Sequence, residues 1–381
     1  MHDKEARPHV LHVVWQLGYG GLESITREVV NGLPQFEHTI LALEGLPLGR
    51  RGIVNDDVRL LDFAKGSGHV IWHVRRLYRL MRQLQPTVVQ TYNLAGLEAM
   101  VAAWLAAVPR RLHCEHGYSD DDPYGHRRRY RLLRQIFSPF VQRFIAISPG
   151  LESDFLSSLD VPDDRIIRIQ NGVDTNRFRP LAQRPALADW PFSDNAWCIG
   201  TVTRLAPVKN LPLLVRAFIR CLQDEPLRRQ HWRLVIAGDG EDRASLVAML
   251  DQAGIRDLCW LPGFRDDVPQ LLANLNCFSL CSRHEGMPKA VLEAMACELP
   301  VITTAMANRS RLVIDGLTGT VLDAEGTIDS LATSMARYAD DTACARVHGA
   351  AGRARVVHEF SLERTLRQYA DAYAGSPSWT S

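Results

Sequence analysis

Two permanent cations stand five residues apart in the run Thr203-Arg204-Leu205-Ala206-Pro207-Val208-Lys209-Asn210. An arginine fork beside a lysine point charge suits a diphosphate, and both can neutralise charge developing on a departing group. The plain alternative is a pair of solvated surface charges. A second stretch, SRHEGMPKAVLEAMA from Ser282 to Ala296, carries two carboxylates eight residues apart, Glu285 and Glu293. Carboxylates accept hydrogen bonds from sugar or ribose hydroxyls. The intervening Gly286-Met287-Pro288 turn offers backbone N–H groups to a sugar or phosphate at the start of a helix. Two ordinary helix-surface glutamates would read the same way.

Three weaker signals accompany these. His116, closing the run LHCEH, can bond a sugar hydroxyl or a developing charge, although a lone histidine is usually unremarkable. In Gly18-Tyr19-Gly20-Gly21-Leu22-Glu23, glycines admit a ligand close to the backbone ahead of a helix N-terminus that favours an anion. The full G-x-G-x-x-G fingerprint is missing, so this run lends a dinucleotide site little support. Gly238-Asp239-Gly240 reads mainly as a turn.

Such groups need strand ends to hold them. Apolar strand-like runs at residues 10–17, 39–43, 87–91, 111–115, 144–147 and 166–169 alternate with helix-like runs at 70–84, 94–107, 127–141 and 151–158. Continuous apolar runs of that length are what buried parallel strands look like. A stretch with three prolines, residues 178–196, breaks the pattern and reads as a linker. A second series follows, with strands at 197–203, 233–237, 259–261, 277–280 and 301–303 and helices at 211–223, 242–253, 268–273, 289–297 and 328–338. The expected fold class is therefore α/β, with two similar-sized Rossmann-like domains whose parallel sheets face each other across a cleft. Residues 1–178 make the first domain, 179–196 the linker and 197–360 the second; a last helix, 361–375, packs back on the first.

Bulk properties narrow the function. Lys and Arg total 44 against 43 Asp and Glu, a formal net charge of +1, which argues against a dedicated nucleic-acid binder. At 46% hydrophobic and 23% charged, the chain is globular in composition. No apolar run reaches the ~18 residues of a membrane span, and the N-terminus lacks a signal core, so a cytoplasmic location is expected. The eight cysteines form no C-x-x-C pair, so neither a disulfide framework nor a zinc site is expected. Residues 125–144 carry six arginines and no acid, with Tyr130, Leu132, Leu133, Ile136 and Phe137 interleaved. Through Arg127, Arg128, Arg131 and Arg134 such a helix can rest on the inner face of an anionic membrane or hold an anionic, lipid-linked acceptor. The alternative is a solvated face with snorkelling arginines.

Taken together, the GGLE turn, Asn171-Gly172-Val173-Asp174, the R-x-x-x-x-K loop, the GDG turn and EGMPKAVLEAMA resemble glycosyltransferase family 4, retaining enzymes of the GT-B fold. The likeness spans nearly the whole chain. EHGYSDDDPYG and NGVDTNRFRP are further similar to a subgroup associated with bacterial exopolysaccharide clusters. The resemblance implies a nucleotide diphosphate sugar as donor, held mainly by the second domain, a saccharide or lipid-linked acceptor on the first, and no metal or cofactor. It implies that Arg204 and Lys209 bind the diphosphate and Glu293 the ribose. Glu285 with Gly286, Met287 and Pro288 would hold the donor sugar, and His116 would contact it near the reacting face. Gly20 and Gly21 would lie near phosphates and acceptor, and Gly263 and Phe264 near the base. One departure stands out. After PVITT the family often carries a glycine pair and an acid, whereas this chain has AMANRSRLVIDG. The rival expectations are a sugar-nucleotide epimerase, which would need no acceptor, and a non-catalytic sugar-nucleotide sensor, which would bind donor without turnover.

Overall fold

The computed structural model describes residues 7–18, 20–46, 55–66, 70–117, 122, 127–156, 159 and 161–375. Tyr19, residues 118–121 and 123–125 of the EHGYSDDDPYG motif, and residues 157–158 of the expected helix lie outside them. The described chain divides into two compact units, 1–171 with 363–381, and 172–362.

The first unit runs β1 (His9–Val14), α1 (Gly21–Gly32), β2 (Glu37–Ala42), β3 (Arg59–Asp62), α2 (Val70–Leu84), β4 (Val88–Tyr92), α3 (Asn93–Gly96), α4 (Glu98–Leu105), β5 (Arg110–Glu115), α5 (Arg128–Phe137), β6 (Arg143–Ala146), α6 (Pro149–Leu151) and β7 (Ile166–Arg168). A π-helical turn, Glu152–Leu156, replaces most of the helix expected at 151–158. The strands form one parallel sheet in the order β3-β2-β1-β4-β5-β6-β7. Val10, Leu11, Val13 and Val14 are almost fully buried, as a central strand covered on both faces requires. The second unit runs β8 (Trp197–Val202), α7 (Leu211–Asp224), β9 (Trp232–Ala237), α8 (Arg243–Gln252), β10 (Cys259–Gly263), α9 (Val268–Ala273), β11 (Cys277–Leu280), α10 (Lys289–Ala296), β12 (Val301–Thr304), β13 (Gly319–Leu322), α11 (Ile328–Asp340) and α12 (Thr342–Glu359). Its sheet is also parallel, ordered β10-β9-β8-β11-β12-β13. Strand order reverses beside β1 in the first sheet and beside β8 in the second, and in open α/β sheets such points at the carboxyl edge are where ligands bind.

The last helix, α13 (Leu362–Ala374), belongs with the first unit. Tyr369 and Tyr373 are buried there; Tyr373 Oη donates to Gln90 Oε1, and Arg110 Nη2 donates to the Ala374 carbonyl at 2.6 Å. Residues 179–196 are not a free linker but are fastened to the second unit. Asp189 pairs with Arg265 at 2.5 Å, Arg184 donates to Asn276 Oδ1 at 3.0 Å, and Trp190 lies edge-on to Trp260. Val173 is tied to the end of α12, donating to the Phe360 carbonyl and accepting from the Leu362 N–H at 3.0 Å each. No described helix is long and apolar enough to cross a membrane.

From Tyr92 at the carboxyl end of β4 to Leu33 at the amino side of β2 runs a buried hydrogen-bonded chain. The Leu33 carbonyl only accepts, so His38 Nε2, 3.1 Å away, carries a proton. A neutral His38 then accepts at Nδ1 from His12 Nε2 (3.1 Å), and His12 Nδ1 accepts from the Tyr92 hydroxyl (3.0 Å). Burial holds both rings neutral. It pushes His12 well below the ordinary 6.5 and His38 to about 4, where the Leu33 carbonyl opposes the shift only in part. Between pH 6.5 and 4 the unfolded chain takes up protons at these sites and the folded one does not. Stability should thus fall as pH drops from 7 to 5, by up to about 1.4 kcal/mol per pH unit per histidine. Thermal unfolding at both pH values should show this loss, and His38→Gln should be less acid-sensitive; an unchanged pH response would contradict the buried neutral pair.

Candidate functional site

In the second unit the carboxyl ends of five neighbouring strands carry the candidate residues. Arg204 follows β8, Gly238 to Gly240 follow β9, Gly263 ends β10, Ser282 to Pro288 follow β11, and Thr304 ends β12. The loop bearing Arg204 is held by an unusually close backbone approach. A Cβ on Gly238 would lie 1.8 Å from the Thr203 carbonyl oxygen, and one on Gly240 2.3 Å from that of Leu205. Both glycines have positive φ, +129° and +154°, which side chains rarely adopt. The same turn accepts the Leu205 N–H at the Asp239 carbonyl (2.9 Å), and Gly238 N–H donates to the Gly263 carbonyl (2.8 Å). The GDG turn therefore clamps the two residues flanking Arg204, whose side chain stays exposed.

Lys209 is less open. Its Nζ lies 2.6 Å from Glu285 Oε1, and Ser282 Oγ donates to the same oxygen at 2.6 Å. Lys209 and Glu285 side chains are only 18% and 13% exposed, so their charges attract across poorly screened space. Thr304 Oγ1 donates to the Ser282 carbonyl at 3.0 Å, and the Arg283 N–H donates to the Val208 carbonyl at 2.8 Å. Loops after β8, β11 and β12 are thereby joined where the strand order reverses. Gly286, Met287 and Pro288 are buried immediately ahead of α10, and Glu293 sits half-buried in that helix's second turn. Phe264 is 53% exposed beside the positive-φ Gly263. Ser282 and Thr304 escape the sequence reading; the Ser282 hydroxyl three residues before Glu285 is the signal that points to it. The departing loop AMANRSR is an ordered turn: Asn308 Nδ2 donates to the Val313 carbonyl (2.8 Å) and its Oδ1 accepts the Val313 N–H (3.0 Å).

The first unit holds the remaining candidates. Gly20 is extended and caps α1, which begins at Gly21, and neither glycine has the left-handed backbone that would demand its type. His116 follows β5; its N–H donates to Asn93 Oδ1 at 2.8 Å and its ring centroid lies 5.4 Å from that of Tyr92. Burial pushes its pKa down to about 3, against the upward pull of Glu115. His116 is thus neutral at physiological pH, which suits hydrogen bonding to a hydroxyl better than neutralising charge. Arg127, Arg128 and Arg131 are exposed. Arg134 corrects the expectation of a surface role: it is buried, with Nε 2.6 Å from Glu115 Oε1. Burial would raise the Glu115 carboxyl, but Arg134 and His113 hold it at about 2, so the arginine serves the core.

Residues 184–355 match the family described as glycosyl transferases group 1, and residues 19–177 match glycosyltransferase family 4. The chain is 24% identical, over 98% of both chains, to the UDP-Gal:alpha-D-GlcNAc-diphosphoundecaprenol alpha-1,3-galactosyltransferase of Escherichia coli. It is 29% identical over 65% of its length to the Vi polysaccharide biosynthesis protein VipC/TviE of Salmonella typhi, of which it spans 43%. Among solved structures it resembles the HepE protein of Anabaena in complex with UDP and glucose, with a TM-score of 0.79, 18% identity and coverage of 97% of this chain and 100% of that one. The sucrose-phosphate synthase of Thermosynechococcus elongatus gives the same TM-score at 17% identity, covering 97% and 99%.

The Lys209–Glu285 contact yields a direct test. In a double-mutant cycle of Lys209→Met and Glu285→Gln, unfolding free energies should show a coupling of about 1–3 kcal/mol. Additive effects would mean the two charges do not meet.

Proposed function

The chain belongs to glycosyltransferase family 4, enzymes of hexosyl transfer on the GT-B fold, and we propose that it draws its sugar from a nucleotide diphosphate without a metal and with retained anomeric configuration. One observation carries this reading. Arg204 and Lys209 stand at the carboxyl edge where the second sheet's strand order reverses, with the Glu285 carboxylate joined to the lysine. A diphosphate arriving there would meet the guanidinium fork of Arg204 and draw Lys209 from Glu285, leaving that carboxylate to accept from sugar hydroxyls. Glu293 would take the ribose, with Gly263 and Phe264 at the base. His116 would hydrogen-bond a hydroxyl of the substrate. Gly20 and Gly21, at the start of α1, would lie near phosphates or acceptor.

In this mechanism the two cations neutralise the charge that grows on the leaving diphosphate, the task a divalent ion performs elsewhere. The acceptor hydroxyl attacks from the face the diphosphate leaves and passes its proton to a phosphate oxygen. Rate then comes from orientation and leaving-group electrostatics, and no protein nucleophile is needed. The UDP named for the Escherichia coli relative and the HepE complex supports a UDP-hexose donor. The former's diphosphoundecaprenol acceptor, and the polysaccharide pathway of the Salmonella relative, support a lipid-linked acceptor in bacterial surface-glycan synthesis. An acceptor of that kind sits in a membrane. Helix α5 exposes Leu132, Leu133 and Ile136 among Arg128, Arg129 and Arg131, an apolar and cationic face suited to the cytoplasmic leaflet.

Arg204→Ala should lower turnover at saturating donor by ~10²–10³-fold, the scale for losing one preorganised charge donor. EDTA should leave wild-type turnover unchanged. Full activity in the variant, or loss with chelator, would contradict the reading. Sedimentation with vesicles containing phosphatidylglycerol should fall when Arg128, Arg129 and Arg131 are all changed to Gln; equal binding would remove the membrane role of α5.

A further inference from the structure

The first residue after β4 is Asn93, beside the point where the first sheet reverses its strand order. Its φ is +51°, in the left-handed region that asparagine tolerates better than most residues. That conformation starts α3 and accompanies the contact of Asn93 Oδ1 with the His116 N–H, 2.8 Å away and 23 positions on. Tyr92, fully buried, lies against the His116 ring, and its hydroxyl is fixed by His12. His116 is thus gripped at its backbone by Asn93 and on its ring by Tyr92. Its Nε2 is buried and has no hydrogen-bond partner among the described residues. Buried polar atoms are nearly always satisfied, so one left over at a carboxyl edge points to a ligand group.

We propose that Asn93 is a positioning residue for transfer, using its side-chain oxygen to fix the loop after β5 so that His116 Nε2 meets a substrate hydroxyl. This rests on the role given to His116 above. The left-handed backbone and the acceptor are separable demands. Asn93→Gly keeps the first and loses the second, whereas Asn93→Asp keeps both.

Turnover would be measured with the UDP-hexose that stabilises the protein most in a thermal-shift panel, following release of UDP. Asn93→Gly should lower kcat about 10–100-fold with little change in KM, the scale of a misplaced group near the reacting atoms. Asn93→Asp should restore most of the rate. In a His116→Ala background, Asn93→Gly should cause no further loss, because the group it positions is gone. An equal loss in both backgrounds, or Asn93→Asp as slow as Asn93→Gly, would overturn the proposal while leaving His116 its role. A His116→Ala enzyme with full kcat would instead remove the role of His116, and that of Asn93 with it. Thermal midpoints near wild type would show that the variants are folded.

Discussion

The backbones of two loops in the second unit approach so closely that only glycine fits between them. The carbonyls of Thr203 and Leu205 lie where side chains at 238 and 240 would begin. Arg204 stands between those carbonyls, so its main chain has little freedom while the residue stays exposed. Position is most of what such a cation contributes, because a charge already held in place needs no reorganisation when the leaving group departs. Hydrogen bonds from the GDG turn to the β10 end, and from the β11 loop to Val208, extend that rigidity to both sides of the arginine.

The first unit solves a different problem, that of burying polar groups without leaving them charged. Tyr92, His12, His38 and the Leu33 carbonyl pass hydrogen bonds in one direction, each histidine donating once and accepting once. Glu115 is kept ionised by Arg134 and His113. Helix α13 closes the same core with two buried tyrosines, one bonded to Gln90 of β4. These arrangements support Tyr92, Asn93 and His116 at the strand ends.

Much of this was legible in the residues. Helix α2 runs over 70–84 and β11 over 277–280, as the patterning implies: Leu77 and Met81 recur at helical spacing on the buried side, and Cys277, Phe278 and Leu280 belong to a strand buried along its length. The family motif at 282–296 signalled both carboxylates. Three elements carried little signal, each for a physical reason. Strands β3 and β13 are four-residue edge strands, too short for a pattern. Helix α12 contains Gly349 and Gly352, which look like breakers. A Cβ on Gly349 would lie 2.0 Å from the Glu298 carbonyl oxygen, so glycine is there for close packing. The inward turn of Arg134 was hidden because a row of arginines looks alike until one finds a buried partner. Asn93 was hidden too, since its contact with His116 exists only once β4 and β5 are side by side.

Under the proposed function, Arg204 recognises the second phosphate of the donor nucleotide. Calorimetric titration with UDP and with UMP tests it most directly. Wild type should bind UDP well over tenfold more tightly than UMP, and Arg204→Ala should lose most of that preference while its affinity for UMP stays nearly constant. Equal discrimination between the two nucleotides in both proteins would contradict the account.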